Sequence, residues 1–264
     1  MNSALAKAAA PPRLGLAATT KNALRRLFYP GLDLHTRNRA SLCRFWRIGA
    51  RDVLDAGSGN GYFSWLAYRS GAAVVAINFD KGQTDKARDF LVGGLRCDPR
   101  RLSFEQRNLY ELDKEERHFD EIICYETIEH IRDDRRIARE FYRLLRPGGR
   151  LHLCAPNRDH PRHQAEILDL NEVGGHVRAG YTLQSYRDLL EPIGFRIEAT
   201  AGIGPWNLYL ADEVLRWFRT RIGDWFAVPL LIGALPLVWT ARFDPATPYS
   251  LYVCAEKPAA PDDR

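Results

Sequence analysis

The stretch that most constrains this chain runs Val53-Leu54-Asp55-Ala56-Gly57-Ser58-Gly59-Asn60-Gly61-Tyr62-Phe63. An apolar run ends in an acid, three glycines fall on alternate positions, and helix-like patterning follows. Such a segment reads as a buried strand that stops at a turn and opens into a helix. Glycine permits the sharp backbone path and removes the Cβ that would hold a ligand away. Free N–H groups at the helix start favour an electron-rich group. The spacing is Gly-x-Gly-x-Gly, with Tyr62 where a dinucleotide-binding turn would have its third glycine, which disfavours a nicotinamide dehydrogenase.

Short apolar runs recur along the chain at 52–55, 73–77, 102–106, 121–124 and 150–154, with helical stretches between them. Two more follow at 195–199 and 250–256. The alternation predicts an α/β fold, a parallel sheet with helices on both faces. Arg146-Pro147-Gly148-Gly149 marks a helix end and turn before the fifth run, and Thr182 is the expected N-cap of a helix over 182–193. At 264 residues the chain suffices for one well-buried domain with additions. The reading divides it into a disordered tail (1–18), a helical cap (19–50), a core (51–201), an apolar helical insertion (202–248), a last core strand (249–257) and a second tail (258–264).

The glycine segment resembles motif I of the class I S-adenosylmethionine-dependent methyltransferases. That resemblance implies a Rossmann-like seven-stranded sheet whose last strand runs antiparallel. It implies S-adenosylmethionine as cofactor, with Asp55, Gly57, Ser58 and Gly59 at its binding turn and the Asp55 carboxylate suited to the cationic amino acid end. The family places a ribose-binding acid after the second strand and an adenine-binding acid after the third. Here those places fall on Asn78, followed by Phe79, and on Asn108, followed by Leu109. An amide oxygen still accepts a hydrogen bond, more weakly than a carboxylate. Turn chemistry after a strand is the competing use of both asparagines. Tyr125, at the end of the fourth strand, completes the expected cofactor set.

The second informative segment is Cys124-Tyr125-Glu126-Thr127-Ile128-Glu129-His130-Ile131. Polar residues gather there at a strand's carboxyl end, where open α/β sheets bind ligands. With Arg146-Pro147-Gly148-Gly149 and Ala155-Pro156-Asn157, it is similar to the ubiquinone-biosynthesis O-methyltransferases and their small-molecule and glycan-modifying relatives. The resemblance implies O-methylation, with His130 as general base on a hydroxyl, assisted by Glu126 and Glu129. Glu126, Glu129, His130 and the later His176 also resemble the metal-binding set of the small-RNA 3′-terminal 2′-O-methyltransferases. A divalent metal there would polarise the hydroxyl, but the metal-free reading is favoured. His176, Arg178 and Tyr181 lie in a loop that faces the acceptor in this group, with surface packing as the alternative.

Five scattered cysteines without metal-ligand spacing point to a reducing cytoplasm. A net charge of +5 permits anionic partners, but the basic residues do not cluster with aromatics, which disfavours nucleic acid. The insertion pairs an amphipathic helix over 207–220 with an apolar run over 225–239, broken by prolines and too short to span a bilayer. Tryptophans at both ends and outlying arginines predict a lid or membrane-contacting ledge over 222–240, peripheral to the inner face of the membrane. Packing on the core or a homodimer contact is the competing use. The expected acceptor is a small or lipid-linked molecule: a phenol, a quinone precursor or a glycan. A non-catalytic partner that keeps the fold is a rival, motivated by the two asparagines.

Overall fold

The computed structural model describes residues 29–31, 33–47, 52–114, 118–164, 168–169, 174–240 and 246–259. The expected N-terminal tail and the start of the helical cap lie outside them. Seven strands form one sheet: β1 (Asp52–Ala56), β2 (Ala73–Asn78), β3 (Leu102–Gln106), β4 (Phe119–Tyr125), β5 (Leu145–Pro156), β6 (Arg196–Ile203) and β7 (Ser250–Glu256). Their order is β3-β2-β1-β4-β5-β7-β6. The first five pair in parallel and β7 runs antiparallel between β5 and β6. The order reverses between β1 and β4, so the carboxyl ends of these two strands flank the crevice where such sheets take ligands.

Among the described residues the α-helices are α1 (Leu34–Arg39), α2 (Tyr62–Arg69), α3 (Lys81–Arg88), α4 (Asp134–Leu144), α5 (Pro161–Gln164), α6 (Leu183–Leu190), α7 (Trp206–Arg221) and α8 (Asp224–Thr240). Strand residues alternate between two apolar layers. Leu54, Ile122, Leu151 and Val253 pack with Phe141 of α4 and Leu189 of α6. Val53, Val74, Ile123 and Cys254 pack on the other face with Ala67 of α2 and Ala87 of α3. Thr182 caps α6 as expected, its hydroxyl accepting the Ser185 N–H while Ser185 Oγ accepts the Thr182 N–H.

β5 begins at Leu145, and the turn expected at 146–149 is a bulge within it: between the Leu145–Phe119 and Arg150–Glu121 pairs, residues 146–149 oppose Asp120 alone, and Gly148 has φ of +77°. The Gly148 N–H reaches the Lys257 carbonyl and the Lys257 N–H returns to Gly149, which extends the pairing with the chain beyond β7. Among the described residues of the helical cap, α1 is followed by a tight 3-10 turn, Ala40–Phe45. The run over 225–239 is helical despite Pro229 and Pro236. It packs through Ala227, Leu231 and Val238 on Leu208 and Leu215 of α7 and Leu34 of α1. Tertiary burial there outweighs the local cost of proline.

Candidate active site

The glycine turn closes the carboxyl end of β1. Gly57, Gly59 and Gly61 have φ of +85°, +52° and +81°, a left-handed path that favours glycine. The N–H groups of Gly57 and Ser58 both donate to the Ile77 carbonyl at 2.9 Å, tying the turn to β2. A Cβ on Gly57 would lie 2.2 Å from Thr127 Oγ1, whereas one on Gly59 would meet open space. Gly57 is thus a packing glycine, and Gly59 leaves backbone open to a ligand. Ser58 Oγ is buried without a hydrogen-bond partner. An orphaned hydroxyl inside an anion-tolerant turn is what a bound polar ligand would satisfy.

Asp55 is 3% exposed and accepts the Ser64 hydroxyl from α2. Burial raises its carboxyl to about 6, against the opposing hydrogen bonds from Ser64. The side chain reaches a helix behind the turn, so any influence on a ligand's cationic end is electrostatic in this conformation. Asn78 and the 69% exposed Phe79 end β2 at the rim of the crevice, where an exposed ring offers a stacking face. Asn78 Nδ2 donates to Gln83 Oε1 at 3.3 Å. Asn108 Oδ1 accepts the Tyr110 N–H at 3.0 Å, the turn chemistry set against its adenine role, though an amide oxygen has a second lone pair. Leu109, beside it, is partly buried against the core. Tyr125 is buried, its hydroxyl accepting Trp46 Nε1–H.

Beyond β4 the polar segment splits into two groups. Glu126 has φ of +48°, a strained value for a side-chain-bearing residue at a strand end. Its Oε2 pairs with Arg39 at 3.2 Å and its Oε1 accepts Ser250 Oγ–H at 3.2 Å. Glu126 is therefore turned away from the imidazoles it was grouped with. Glu129, His130 and His176 do come together, with ligating atoms within 4.8 Å of one another. Glu129 is fully buried, its Oε1 lies 4.0 Å from His176 Nε2, and its carbonyl accepts the Val177 N–H. The His130 and His176 rings stand edge to face at 4.6 Å. His130 Nδ1 lies 2.9 Å from the Gly175 carbonyl. A carbonyl only accepts, so Nδ1 carries the proton and the neutral ring has its lone pair at Nε2.

Arg178 and Tyr181, the expected acceptor contacts, form a clamp and also line a cavity of about 470 Å³. Arg178 pairs with Asp134 and donates to the Ile131 and Arg132 carbonyls at 2.8 and 2.9 Å. Tyr181 is 3% exposed and donates to Asp134 Oδ2 at 2.7 Å. The pair holds the 174–181 loop against the start of α4, which positions His176 beside His130.

Sequence reasoning missed the residues around Glu126. A cavity of about 300 Å³ is lined by Asp33, His35 and Arg39, by Glu126, by Asp212, Arg216 and Arg219 of α7, and by Tyr249. The Leu34 N–H donates to Asp212 Oδ1, and Asn38 Oδ1 accepts the Gly204 N–H, so α1 is fastened to the insertion and the end of β6. Arg39 Nε and His35 Nε2 are buried without hydrogen-bond partners. Burial would lower the Arg39 pKa, but Glu126 together with Cys154, Asp33 and Glu129 outweighs it and the net shift is upward. Burial, reinforced by the Arg39 charge, lowers His35. The acids and bases lie some ninety residues apart in sequence at each step, which is why no local pattern exposed them.

A family model of a methyltransferase domain matches residues 19–200. The ubiquinone biosynthesis O-methyltransferase of Xanthomonas axonopodis pv. citri is 30% identical over 194 residues, 67% of this chain and 78% of that protein. The "Probable S-adenosylmethionine-dependent methyltransferase" of Mycolicibacterium smegmatis is 29% identical over 164 residues, 60% of this chain and 56% of that one. The match thus spans little more than half of that relative's length. Among solved structures, an S-adenosylmethionine dependent methyltransferase from Mesorhizobium loti superposes with a TM-score of 0.54 at 18% identity, covering 85% of this chain and 100% of the other. That likeness shows the fold.

Proposed function

This chain belongs to the S-adenosylmethionine-dependent methyltransferases, and from that premise we propose that it methylates a hydroxyl of a small-molecule or lipid-linked acceptor. The observation that carries the reading is His130 in the turn after β4, whose Nδ1 contact to the Gly175 carbonyl fixes the tautomer with the basic nitrogen at Nε2. The glycine turn with Ser58, and the rim formed by Asn78 and Phe79, would hold the cofactor, whose sulfonium supplies an electrophilic methyl group. His130 then takes the acceptor's hydroxyl proton at Nε2. His176 and the buried Glu129 fix the ring and favour the imidazolium that forms. The Arg178–Tyr181 clamp keeps that loop in place, so the acceptor oxygen and the base meet in one geometry.

The cavity beside Glu126, whose lining does not include His130, would suit the polar remainder of a glycan acceptor better than a phenol or a quinone precursor. Seven of its eight lining residues carry charged or imidazole groups, which alternate donors and acceptors as sugar hydroxyls do. A bare aromatic ring would desolvate those groups without replacing their hydrogen bonds. RNA is less well served, since arginines such as Arg100, Arg143 and Arg146 are already paired with Asp98, Glu140 and Asp52. A second reading rests on the same three side chains. Glu129, His130 and His176 make a mixed oxygen and nitrogen set suited to Mn²⁺, Fe²⁺ or Zn²⁺, which would polarise the hydroxyl in place of a base.

Calorimetry of metal-stripped protein with S-adenosylhomocysteine, followed by turnover of a glycan and phenol panel with and without Mn²⁺, tests both readings. His130→Gln is expected to lower kcat by about 10²–10⁴-fold with cofactor affinity unchanged. Activity that depends wholly on added metal selects the second reading. No cofactor binding under any condition overturns the methyltransferase activity and leaves the non-catalytic partner.

A further inference from the structure

Helix α7 has two dissimilar faces. At about 100° per residue, Trp206, Leu210, Val214 and Trp217 fall within an arc of roughly 80°. All four are exposed, at 48%, 48%, 52% and 54%. Leu208, Asp212 and Leu215, on the opposite side, are buried. The insertion's next helix also exposes apolar side chains. Residues 227–238 of α8 contain no charged side chain, and Leu230 and Ile232 are exposed at 37% and 56%, with Ile222 between the helices at 46%. Seven large apolar side chains thus stand exposed in one helical hairpin, more than scattered surface residues explain.

The charge inside this arc is basic, and the acid Glu213 borders it. Arg221 falls in the same arc of α7, whereas the exposed Arg219 lies on the opposite side with Leu208, Asp212 and Leu215. The helix's acids, Asp212 and Glu213, are ion-paired with Arg216. Trp206 and Trp217, near the two ends of the stripe, combine an apolar body with an N–H, the composition of a segment that rests at the level of lipid headgroups. At 17 residues α8 is about 25 Å long, and among the described residues no helix is long and apolar enough to cross a membrane.

We propose that the outer face of α7, with the exposed apolar residues of α8, docks in the plane of an anionic lipid bilayer. The inner face of the same helix supplies Asp212, Arg216 and Arg219 to the polar cavity that reaches Glu126. Docking therefore sets the cavity beside the headgroup layer, so that the acceptor is the polar head of a lipid. That last step rests on the proposed methyl transfer; the docking does not.

Flotation of the full chain with vesicles of phosphatidylglycerol and phosphatidylcholine, against phosphatidylcholine alone, reads the docking directly. The protein should float with the anionic vesicles. Leu210→Ser and Trp217→Ser should each weaken binding by about tenfold or more, since each removes an inserted apolar side chain. Arg221→Gln should weaken it by about fivefold and reduce its salt dependence. Both altered apolar positions are solvent-exposed, so retained circular dichroism and S-adenosylhomocysteine binding keep a lost interaction distinct from a lost fold. Protein that stays at the bottom of the gradient overturns the proposal. So does equal flotation of the serine variants, or a solution dimer that these variants dissociate. Flotation without cofactor binding would leave the docking intact and remove the methyl-transfer reading.

Discussion

At Asp55 the chain keeps a carboxylate where burial resists one. The folded group titrates near 6 and the model peptide near 3.8, so the native state binds the extra proton between these values. Stability contributed by this site falls as pH rises from about 4 to about 6 and is flat above. At neutral pH the cost is about 3 kcal/mol at most. Asp55→Asn, which still accepts from Ser64, should raise the urea-unfolding free energy at pH 7 and weaken S-adenosylhomocysteine binding; a less stable variant at pH 7 contradicts this. The glycines separate in the same manner. Gly57→Ala drives a Cβ into Thr127 and should cost several kcal/mol, whereas Gly59→Ala meets no atom and should fold at a cost of about 1 kcal/mol. Thermal melts of the two variants distinguish them. Glu126→Gln leaves Arg39 buried without its counter-charge and should destabilise by about 3 kcal/mol, a loss that Arg39→Met in the same chain largely restores in denaturant titrations.

The elements behave less uniformly than the alternating pattern implies. Strands β4, β5 and β7 share one buried ionisable contact: His152 Nδ1 lies 2.8 Å from the Tyr252 hydroxyl, and Nε2 lies 3.8 Å from Glu121. Burial pushes His152 down, but Cys254 and Glu121 outweigh it and raise the imidazolium to about 9. The raised value stabilises the fold fully below the ordinary histidine range, and that contribution is lost as pH rises through about 9. Unfolding free energy should drop by on the order of 2 kcal/mol between pH 6.5 and 9.5, and His152→Gln should flatten the profile. A parent profile as flat as the variant's would remove the ion pair from the account. Helix α8 shows the reverse balance, with local propensity against it and packing on α1 and α7 in its favour.

For the whole molecule, a ligand that binds only the folded state adds stability by mass action. S-adenosylhomocysteine at about a hundredfold over its Kd should add about 2.7 kcal/mol, measurable as a melting shift. Its absence in a chain that folds normally would detach the glycine turn from cofactor binding. The family, the strand count and the glycine turn were legible in the sequence because each is a local pattern: a period, a spacing, a breaker residue. Glu129, His130 and His176 were legible as residues, and two of them sit within one turn of each other after β4. The partners of Glu126 were not. Arg39, Asp212 and Tyr249 reach it from the N-terminal cap, the insertion and the chain before β7, and only closure of the sheet brings them to one cavity. Likewise the sequence marked Arg178 and Tyr181 as notable, while only the fold revealed their pairing with Asp134. Backbone conformation follows from short-range sterics and hydrophobic period, so the chain determined it residue by residue. Which side chains stay available for chemistry depends on the contacts they find across the sequence, and that was decided by the tertiary structure alone.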